Sequence, residues 1–267
     1  MDLETVRAYR RATTRDDLAL APGERFVAGG TWLYSEPQVG TTGLVDLTGM
    51  GWPSIEEQGG GLRIGATCTI AELVAHAAGA AWPAHPLVAH CANALLASFK
   101  IWNAATVGGN VCRSFAAAGM VSLCATLDGE ALVWTPDDGE YRRPVADLVT
   151  GNGTNALAAG EVLRAIDLPA HALRARTAFR KIALAELGRS GAVLTGRVDE
   201  DGAATLVITA ATERPTVLRY DRLPDAATLR RAVEDLNGYY TDPLGTADWR
   251  RAVSVALLED VREELAA

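Results

Sequence analysis

Two short segments of the chain combine adjacent glycines with hydroxyl and amide side chains. Residues Val27–Thr31 read V-A-G-G-T, and residues Ala105–Asn110 read A-T-V-G-G-N. Because glycine has no Cβ, such a segment can adopt positive φ and approach a bulky ligand closely. Its consecutive amides can form a concavity that binds phosphate, and Thr106 and Asn110 can complete the hydrogen bonds. One Gly-Gly turn usually only connects two elements, but two of them, each after an ordered element, indicate one ligand held between two lobes.

The first glycine pair lies in a predicted βαβ-like unit that covers residues 1–53. A hydroxyl cap followed by acids at residues 13–17 predicts a short helix. Residues 25–28 are predicted to form a strand that leads into the glycines, Trp32 to begin a helix, and residues 43–47 to return as a strand. The glycines therefore follow the end of a strand, where ligands of α/β proteins usually bind.

The second glycine pair lies in a larger predicted lobe, residues 54–170. A capping box at Thr69 and Glu72 opens a helix. A helix predicted over Ala116–Leu127 starts near the glycine pair, where its N-terminus favours an anion. The other elements predicted in this lobe are a hairpin over Ser54–Ala66, a helix over Pro86–Ala97, a hairpin over Glu130–Val145 and a strand from Glu161 to Pro169.

The pattern of the sequence changes after a linker predicted at His171–Arg176. Three antiparallel strands and then two helices are predicted there, over Thr177–Ala185, Ala192–Val198, Ala204–Thr212, Ala226–Leu236 and Thr246–Leu265. Strands followed by helices are typical of an α+β domain. We therefore predict a small α+β domain over residues 174–267, after a ligand-binding region over residues 1–170.

The composition and the missing motifs argue against several classes of protein. The net charge of −8 at pH 7 disfavours a nucleic-acid-binding surface. No apolar run reaches membrane-spanning length and no signal-peptide pattern is visible, so we expect a cytoplasmic protein without a membrane span. The G-x-G-x-x-G, P-loop and G-x-S-x-G motifs are absent. The four cysteines include no C-x-x-C pair, which argues against an iron–sulfur or zinc site within the chain.

The two glycine segments resemble the flavin loops of a known family. Ala28–Thr31 and Thr106–Asn110 are similar to the first and second flavin loops of the FAD-binding (medium) subunit of the molybdenum hydroxylases. That family includes the flavin subunits of carbon monoxide dehydrogenase and the flavin domain of xanthine dehydrogenase. The resemblance implies an α+β chain with a two-lobed FAD-binding α/β region of the vanillyl-alcohol-oxidase/PCMH-like type. A small C-terminal domain with a three-stranded antiparallel sheet and helices would follow.

The resemblance also implies which residues contact FAD. Leu163 matches a leucine that packs against the flavin ring, and Lys181 matches a lysine near the isoalloxazine, where a cation favours the anionic reduced flavin. Lys181 is therefore the candidate catalytic residue. The candidate cofactor-binding residues are Val27, Ala28, Gly29, Gly30, Thr31, Trp32, Ala97, Thr106, Gly108, Gly109, Asn110, Cys112, Gly119, Leu163 and Lys181.

The chain departs from the family pattern at four positions. Trp32 stands where an acidic residue is common, and Trp102 stands where arginine is common. Ala116 and Gly119 stand where the family usually has a proline and an aspartate near the flavin. Backbone amides would do most of the phosphate binding, so these departures bear mainly on redox tuning and on the partner that delivers electrons.

The resemblance implies an electron-transfer subunit. FAD would take electrons from [2Fe–2S] clusters of a small partner subunit and pass them to NAD, oxygen or a quinone. A molybdopterin-binding large subunit would complete a dimer of heterotrimers. One alternative is a stand-alone FAD-dependent oxidoreductase, for which His171 and Tyr141 are acid–base candidates only by elimination. The other is a scaffold that has lost tight FAD binding, an interpretation that Trp102 and Gly119 keep open.

Overall fold

A computed structural model describes residues 3–267. The first sheet along the chain has three parallel strands. Its strands β1 (Ala8–Arg11), β2 (Glu24–Val27) and β3 (Gly43–Asp46) lie in the order β1-β3-β2. The helix expected near residue 13 is a single 3-10 turn, Asp16–Leu18. The helix expected at Trp32 is absent, and turns connect β2 to β3. Pro37 and Gly40 in this short connection disfavour a helix there.

A five-stranded antiparallel sheet and seven helices in the described chain follow. Their bounds are β4 (Ile55–Gln58), β5 (Gly61–Gly65), α1 (Ile70–Ala78), α2 (Pro86–Asn93), α3 (Phe99–Trp102), α4 (Val107–Arg113), α5 (Gly119–Thr126), β6 (Glu130–Trp134), β7 (Glu140–Pro144), α6 (Val145–Leu148), β8 (Val149–Gly151), β9 (Thr154–Asn155), β10 (Val162–Leu168) and α7 (Ala170–Arg174). The sheet order is β4-β5-β10-β6-β7, and β8 pairs with β9 separately. The capping box of Thr69 and Glu72 is present at the start of α1.

The apolar spacing of the helices explains their packing on this sheet. Helix α1 buries Ile70, Leu73 and Ala77, which recur on one helical face. They join Ile64 of β5 and Ile166 of β10 in one fully buried core. This core fixes the position of α4, whose glycines belong to the candidate site.

Three predictions in this region, two helices and a linker, need correction. The helix expected over Pro86–Ala97 ends at Asn93, and the helix expected from Ala116 begins at Gly119. The loop before Gly119 is held by side-chain and turn hydrogen bonds, including one of 3.1 Å from the Ala116 amide to Asn152 Oδ1. The linker expected at His171–Arg176 is largely the helix α7.

The C-terminal part contains an antiparallel sheet of four strands and two helices. These are β11 (Arg176–Ala183), β12 (Ser190–Val198), β13 (Ala204–Thr209), β14 (Thr216–Tyr220), α8 (Ala226–Glu234) and α9 (Ala247–Ala266), with the strands in sequential order. The antiparallel sheet and both helices are confirmed, but the prediction of three strands is wrong by one. Strand β14 is an edge strand that is only partly buried, so it lacks the apolar run that identifies β12 and β13.

Buried hydroxyl groups join helix α5 to the C-terminal sheet. Ser122 and Thr126 lie one turn apart on α5; their hydroxyl oxygens are 2.6 Å from that of Thr209 and 2.5 Å from that of Thr195. Because each buried hydroxyl has a partner, this contact avoids the free-energy penalty of unpaired polar groups. Within residues 3–267, no helix is both long and apolar enough to cross a membrane.

Candidate FAD-binding site

The two glycine segments lie against each other. A Cβ added to Gly29 would overlap the backbone carbonyl oxygen of Ala104, so the first loop reaches the segment that precedes α4. Only glycine fits at this contact, because the atom in the way belongs to the backbone and cannot rotate aside. The sequence prediction that one site combines both glycine pairs is consistent with this packing.

The first glycine pair forms an open loop. Gly30 has φ of +65°, as expected for a position that favours glycine, and the ring of Tyr34 packs against it. Among residues 3–267, no acceptor takes the amide hydrogens of Gly29 through Leu33. These consecutive unpaired amides form a cradle suited to phosphate oxygens.

The second glycine pair is not the turn that the sequence predicted. Gly108 and Gly109 lie in the first turn of α4, and neither has positive φ. The amide of Gly109 donates to Thr106 Oγ1 at 3.0 Å, and Thr106 is the N-cap residue. The amide of Gly108 donates to the Ala66 carbonyl at 3.0 Å. The amides of this helix start are therefore already used by the protein.

Close packing explains why Gly108 is a glycine. A Cβ at Gly108 would lie 2.6 Å from both the Cβ and the carbonyl oxygen of Ala66. The amide of Ala66 in turn donates to the Arg164 carbonyl in β10 at 3.1 Å. This chain of hydrogen bonds ties α4 to the strand that carries Leu163, a candidate flavin contact.

Asn110 and Gly119 connect α4 to α5. Asn110 Oδ1 accepts a hydrogen bond of 3.0 Å from the amide of Met120, in the first turn of α5. A Cβ at Gly119 would overlap the carbonyl oxygen of Cys91, so no aspartate fits where the family commonly has one. The N-terminus of α5 does lie beside α4, as predicted, but Asn110 already caps it.

An arginine that the sequence reading missed lies beside the first loop. The guanidinium carbon of Arg113 is 4.8 Å from the ring centroid of Trp32 and 3.9 Å from that of Phe115. The two rings pack edge to face at 4.8 Å. Burial lowers the pKa of Arg113, while the charge of Glu36 acts in the opposite direction. In the sequence, the only local sign of this cluster is that an aromatic residue, Phe115, follows Arg113 by two positions.

The remaining candidates occupy the core and the C-terminal sheet. Val27 ends β2, Ala97 lies between α2 and α3, and Leu163 is buried in β10. Burial raises the pKa of the Cys112 thiol to about 12, which keeps it protonated. Lys181 is half-buried on β11, and burial lowers its pKa.

The two acid–base candidates of the stand-alone alternative have structural partners. The Tyr141 hydroxyl donates to Glu161 at 2.9 Å, and His171 Nε2 lies 3.3 Å from Asp128 Oδ2. Burial alone would raise the pKa of Asp128, but hydrogen bonds from Arg219 and Arg197 outweigh it and lower that pKa to about 2. His171 lines a separate cavity of about 520 Å³ beside Arg63 and other residues outside the glycine segments.

The comparisons with known proteins identify the class of this chain. The family described as the FAD binding domain in molybdopterin dehydrogenase matches residues 4–171, and the chain belongs to that family. FAD is therefore its cofactor, and the chain is an oxidoreductase flavoprotein subunit of the molybdenum hydroxylase class. The unpaired amides from Gly29 to Leu33 fit this cofactor.

Several solved structures share the fold over nearly the whole chain. Quinoline 2-oxidoreductase from Pseudomonas putida 86 is 21% identical, with a TM-score of 0.80 and 100% coverage of both chains. Reconstituted CO dehydrogenase from Oligotropha carboxidovorans is 23% identical, with a TM-score of 0.85 and 98% coverage of both chains. Carbon monoxide dehydrogenase from Hydrogenophaga pseudoflava is 19% identical, with a TM-score of 0.82 and coverage of 97% and 96%. Comparison with curated protein sequences gives no match.

Proposed function

We propose that this chain is the subunit that carries electrons from [2Fe–2S] clusters of a small partner subunit, through FAD, to NAD, oxygen or a quinone. A molybdopterin-binding large subunit would complete the complex, as a dimer of heterotrimers in the cytoplasm. The observation that carries the proposal is the cradle of unpaired amides at Gly29–Leu33, packed against the segment before α4. Bound FAD supplies the redox chemistry, and the protein supplies binding, orientation and electrostatics.

The chain's own residues divide this work. The cradle amides bind phosphate oxygens, and Gly30 lets the loop turn. Gly108 allows α4 to lie against Ala66 and so holds β10, with Leu163, in place. Thr106, Gly109 and Asn110 support the site through the start of α4, and we assign the candidate residues outside this segment to contacts along the length of the same cofactor.

The same proposal divides the chain near residue 171. Residues 1–170 form the FAD-binding region, with lobes at about 1–53 and 54–170, and residues 174–267 form the C-terminal domain. The end of the family match at residue 171 supports this division. Two separate buried cores, one around β10 and one between α9 and the C-terminal sheet, support it as well.

Lys181 is the residue proposed to tune the cofactor. Its half-buried amine has a pKa that burial lowers. A cation at the flavin stabilises an anionic reduced form by Coulomb attraction. Replacement of Lys181 by methionine should therefore lower the midpoint potential of bound flavin, and Lys181→Arg should restore much of it. Lys100 is exposed, so Lys100→Met is the matched control and should leave the potential unchanged.

An absorption spectrum of the purified chain tests the proposal first. We expect flavin bands and, after denaturation, release of FAD. Co-purification from the native host should then recover an iron–sulfur chain and a molybdopterin chain, and candidate acceptors can be ranked by how fast each reoxidises the flavin. A chain that is colourless and ignores added FAD would refute the electron-transfer role.

A further inference from the structure

We propose that Arg113 binds a phosphate of the FAD diphosphate group. This inference rests on the proposed position of the cofactor at the Gly29–Leu33 cradle. Arg113 is the last residue of α4, and Ser114 follows it with φ of +55°. This turn brings the ring of Phe115 back over the guanidinium, while Trp32 covers it from the cradle loop. The charge is therefore held beside the loop that carries the unpaired amides.

Within residues 3–267, the guanidinium of Arg113 forms no salt bridge, and the charge of Glu36 acts on it only from a greater distance. Its Nε is buried and has no hydrogen-bond acceptor. Its Nη1 makes one long contact, 3.4 Å, to the neutral carbonyl of Gly153. Arginine has five N–H donors that must be satisfied when they are buried, and a half-buried cation without a counterion is unfavourable. A negatively charged ligand would accept hydrogen bonds from the free N–H donors of Arg113 and would balance its charge.

The neighbouring groups indicate which anion binds. Consecutive amides bind phosphate oxygens, and a guanidinium can donate two parallel hydrogen bonds to the same group. Trp32 belongs to both features, because its amide lies in the cradle and its ring packs on Arg113. A diphosphate presents enough oxygens for the loop amides and for the guanidinium together.

The aromatic rings pre-organise the side chain. The Arg113 guanidinium contacts the rings of both Trp32 and Phe115 and gains cation–π attraction from them. Because the rings restrict the rotamers of Arg113 before the ligand arrives, less conformational entropy is lost on binding. A flexible surface arginine would not have this advantage.

Arg164 provides a matched control within the same chain. It is also stacked on a tryptophan, 4.7 Å from the Trp52 centroid, and it also has a buried guanidinium nitrogen without a partner. Burial lowers its pKa as it does for Arg113. Arg164 is not stacked on the cradle loop, however, so Arg164→Met removes a comparable buried cation from elsewhere in the molecule.

The test compares FAD binding to the full-length apoprotein of wild type, Arg113→Met, Arg113→Lys and Arg164→Met. Flavin fluorescence gives the Kd at several salt concentrations, and inorganic diphosphate serves as a competitor. We expect Arg113→Met to raise the FAD Kd at least about tenfold, as for loss of a charged hydrogen bond. It should also flatten the salt dependence and weaken competition by diphosphate. The FAD Kd of Arg113→Lys should lie between those of wild type and Arg113→Met. Arg164→Met should match wild type in Kd, in salt dependence and in competition by diphosphate.

The other outcomes distinguish a failure of the Arg113 role from a failure of the proposed FAD site. An Arg113→Met protein with wild-type Kd, salt dependence and diphosphate competition would overturn the role of Arg113 while leaving the FAD site intact. An unchanged salt dependence with a raised Kd would also overturn it, since a merely structural role gives that pattern. If Arg113→Met does not fold, Arg113→Gln, which also removes the charge, takes its place, and the salt dependence of its FAD Kd decides in the same way. A wild-type protein that binds no FAD would refute the proposed site itself.

Discussion

The Gly29–Gly30 loop and the Gly108–Gly109 turn contain the same dipeptide in two different structures. The first is an open loop with positive φ at Gly30, and its amides through Leu33 have no acceptor among residues 3–267. The second is a helix start with ordinary φ values, where Thr106 and Ala66 accept the amide hydrogens. The same pair of residues thus exposes backbone donors in one place and satisfies them in the other.

The difference indicates a division of labour between the two segments. Glycine at position 29 allows contact with a neighbouring backbone and leaves donors for a ligand, whereas glycine at position 108 allows a helix to pack closely on Ala66, the residue after β5. One segment would bind the cofactor and the other would support the segment that binds. Substitutions in the first should therefore change FAD affinity, and substitutions in the second should change folding stability.

The largest effect is expected from Gly29→Ala. The new Cβ would overlap the carbonyl oxygen of Ala104, and because both atoms belong to backbone, the loop must move away. Overpacking of this kind costs up to about 3 kcal/mol. If that cost must be met to bring the loop into its binding position, the FAD Kd rises about a hundredfold. Titration of apoprotein with FAD measures the change, and circular dichroism verifies that the fold is retained. Wild-type affinity in a folded variant would show that the contact is not needed for binding.

Gly108→Ala should instead destabilise the fold. Its Cβ would lie 2.6 Å from two atoms of Ala66, and we expect a loss of about 2 kcal/mol in the free energy of unfolding. Gly109→Ala is the matched control, because its Cβ meets only the Thr106 hydroxyl and alanine is the better helix former. Denaturant unfolding of the apoproteins measures both. Equal stabilities for the two variants would contradict the supporting role of Gly108.

The sequence predicts the first segment better than the second. A glycine pair after strand β2 correctly indicates a loop, with a positive φ at Gly30. The same pattern before Asn110 predicts a turn, but in the structure this segment starts a helix whose Gly108 amide donates to Ala66 in a distant part of the chain. Only Thr106, a hydroxyl residue three positions before Gly109, hints at an N-cap.

Other features depend on contacts between residues far apart in the chain. Arg113 and Phe115 were missed because their significance comes from Trp32, which no local pattern connects to them. The hairpins and both C-terminal helices were predicted because turn residues and apolar periodicity are local signals. Edge strand β14 was missed because partial burial leaves no such signal.

Gly30→Ala tests the positive φ of the binding loop together with its contact with Tyr34. A residue with a Cβ in the left-handed region costs about 1–2 kcal/mol, and at Gly30 the Cβ would also press on the Tyr34 ring. Gly51→Ala is the control, since Gly51 has φ of +63° with no atom within 4 Å of its Cβ. Gly51→Ala should lose the unfolding free energy of the left-handed φ alone, Gly30→Ala should lose more because of the Tyr34 contact, and only Gly30→Ala should raise the FAD Kd. A parallel rise for Gly51→Ala would indicate a general loss of stability.

The smallest effect is expected from Thr106→Ala. This change removes the N-cap hydrogen bond to the Gly109 amide and should cost about 1 kcal/mol of folding stability, while Thr106→Ser should retain most of it. Thr246 caps α9 in the same way, through the Trp249 amide at 3.2 Å, so Thr246→Ala is a control outside the glycine segments. Both alanine variants should be destabilised alike and bind FAD nearly as wild type does. If Thr106→Ala weakened FAD binding as strongly as Gly29→Ala, the second segment would contact the cofactor directly and the division of labour would be wrong.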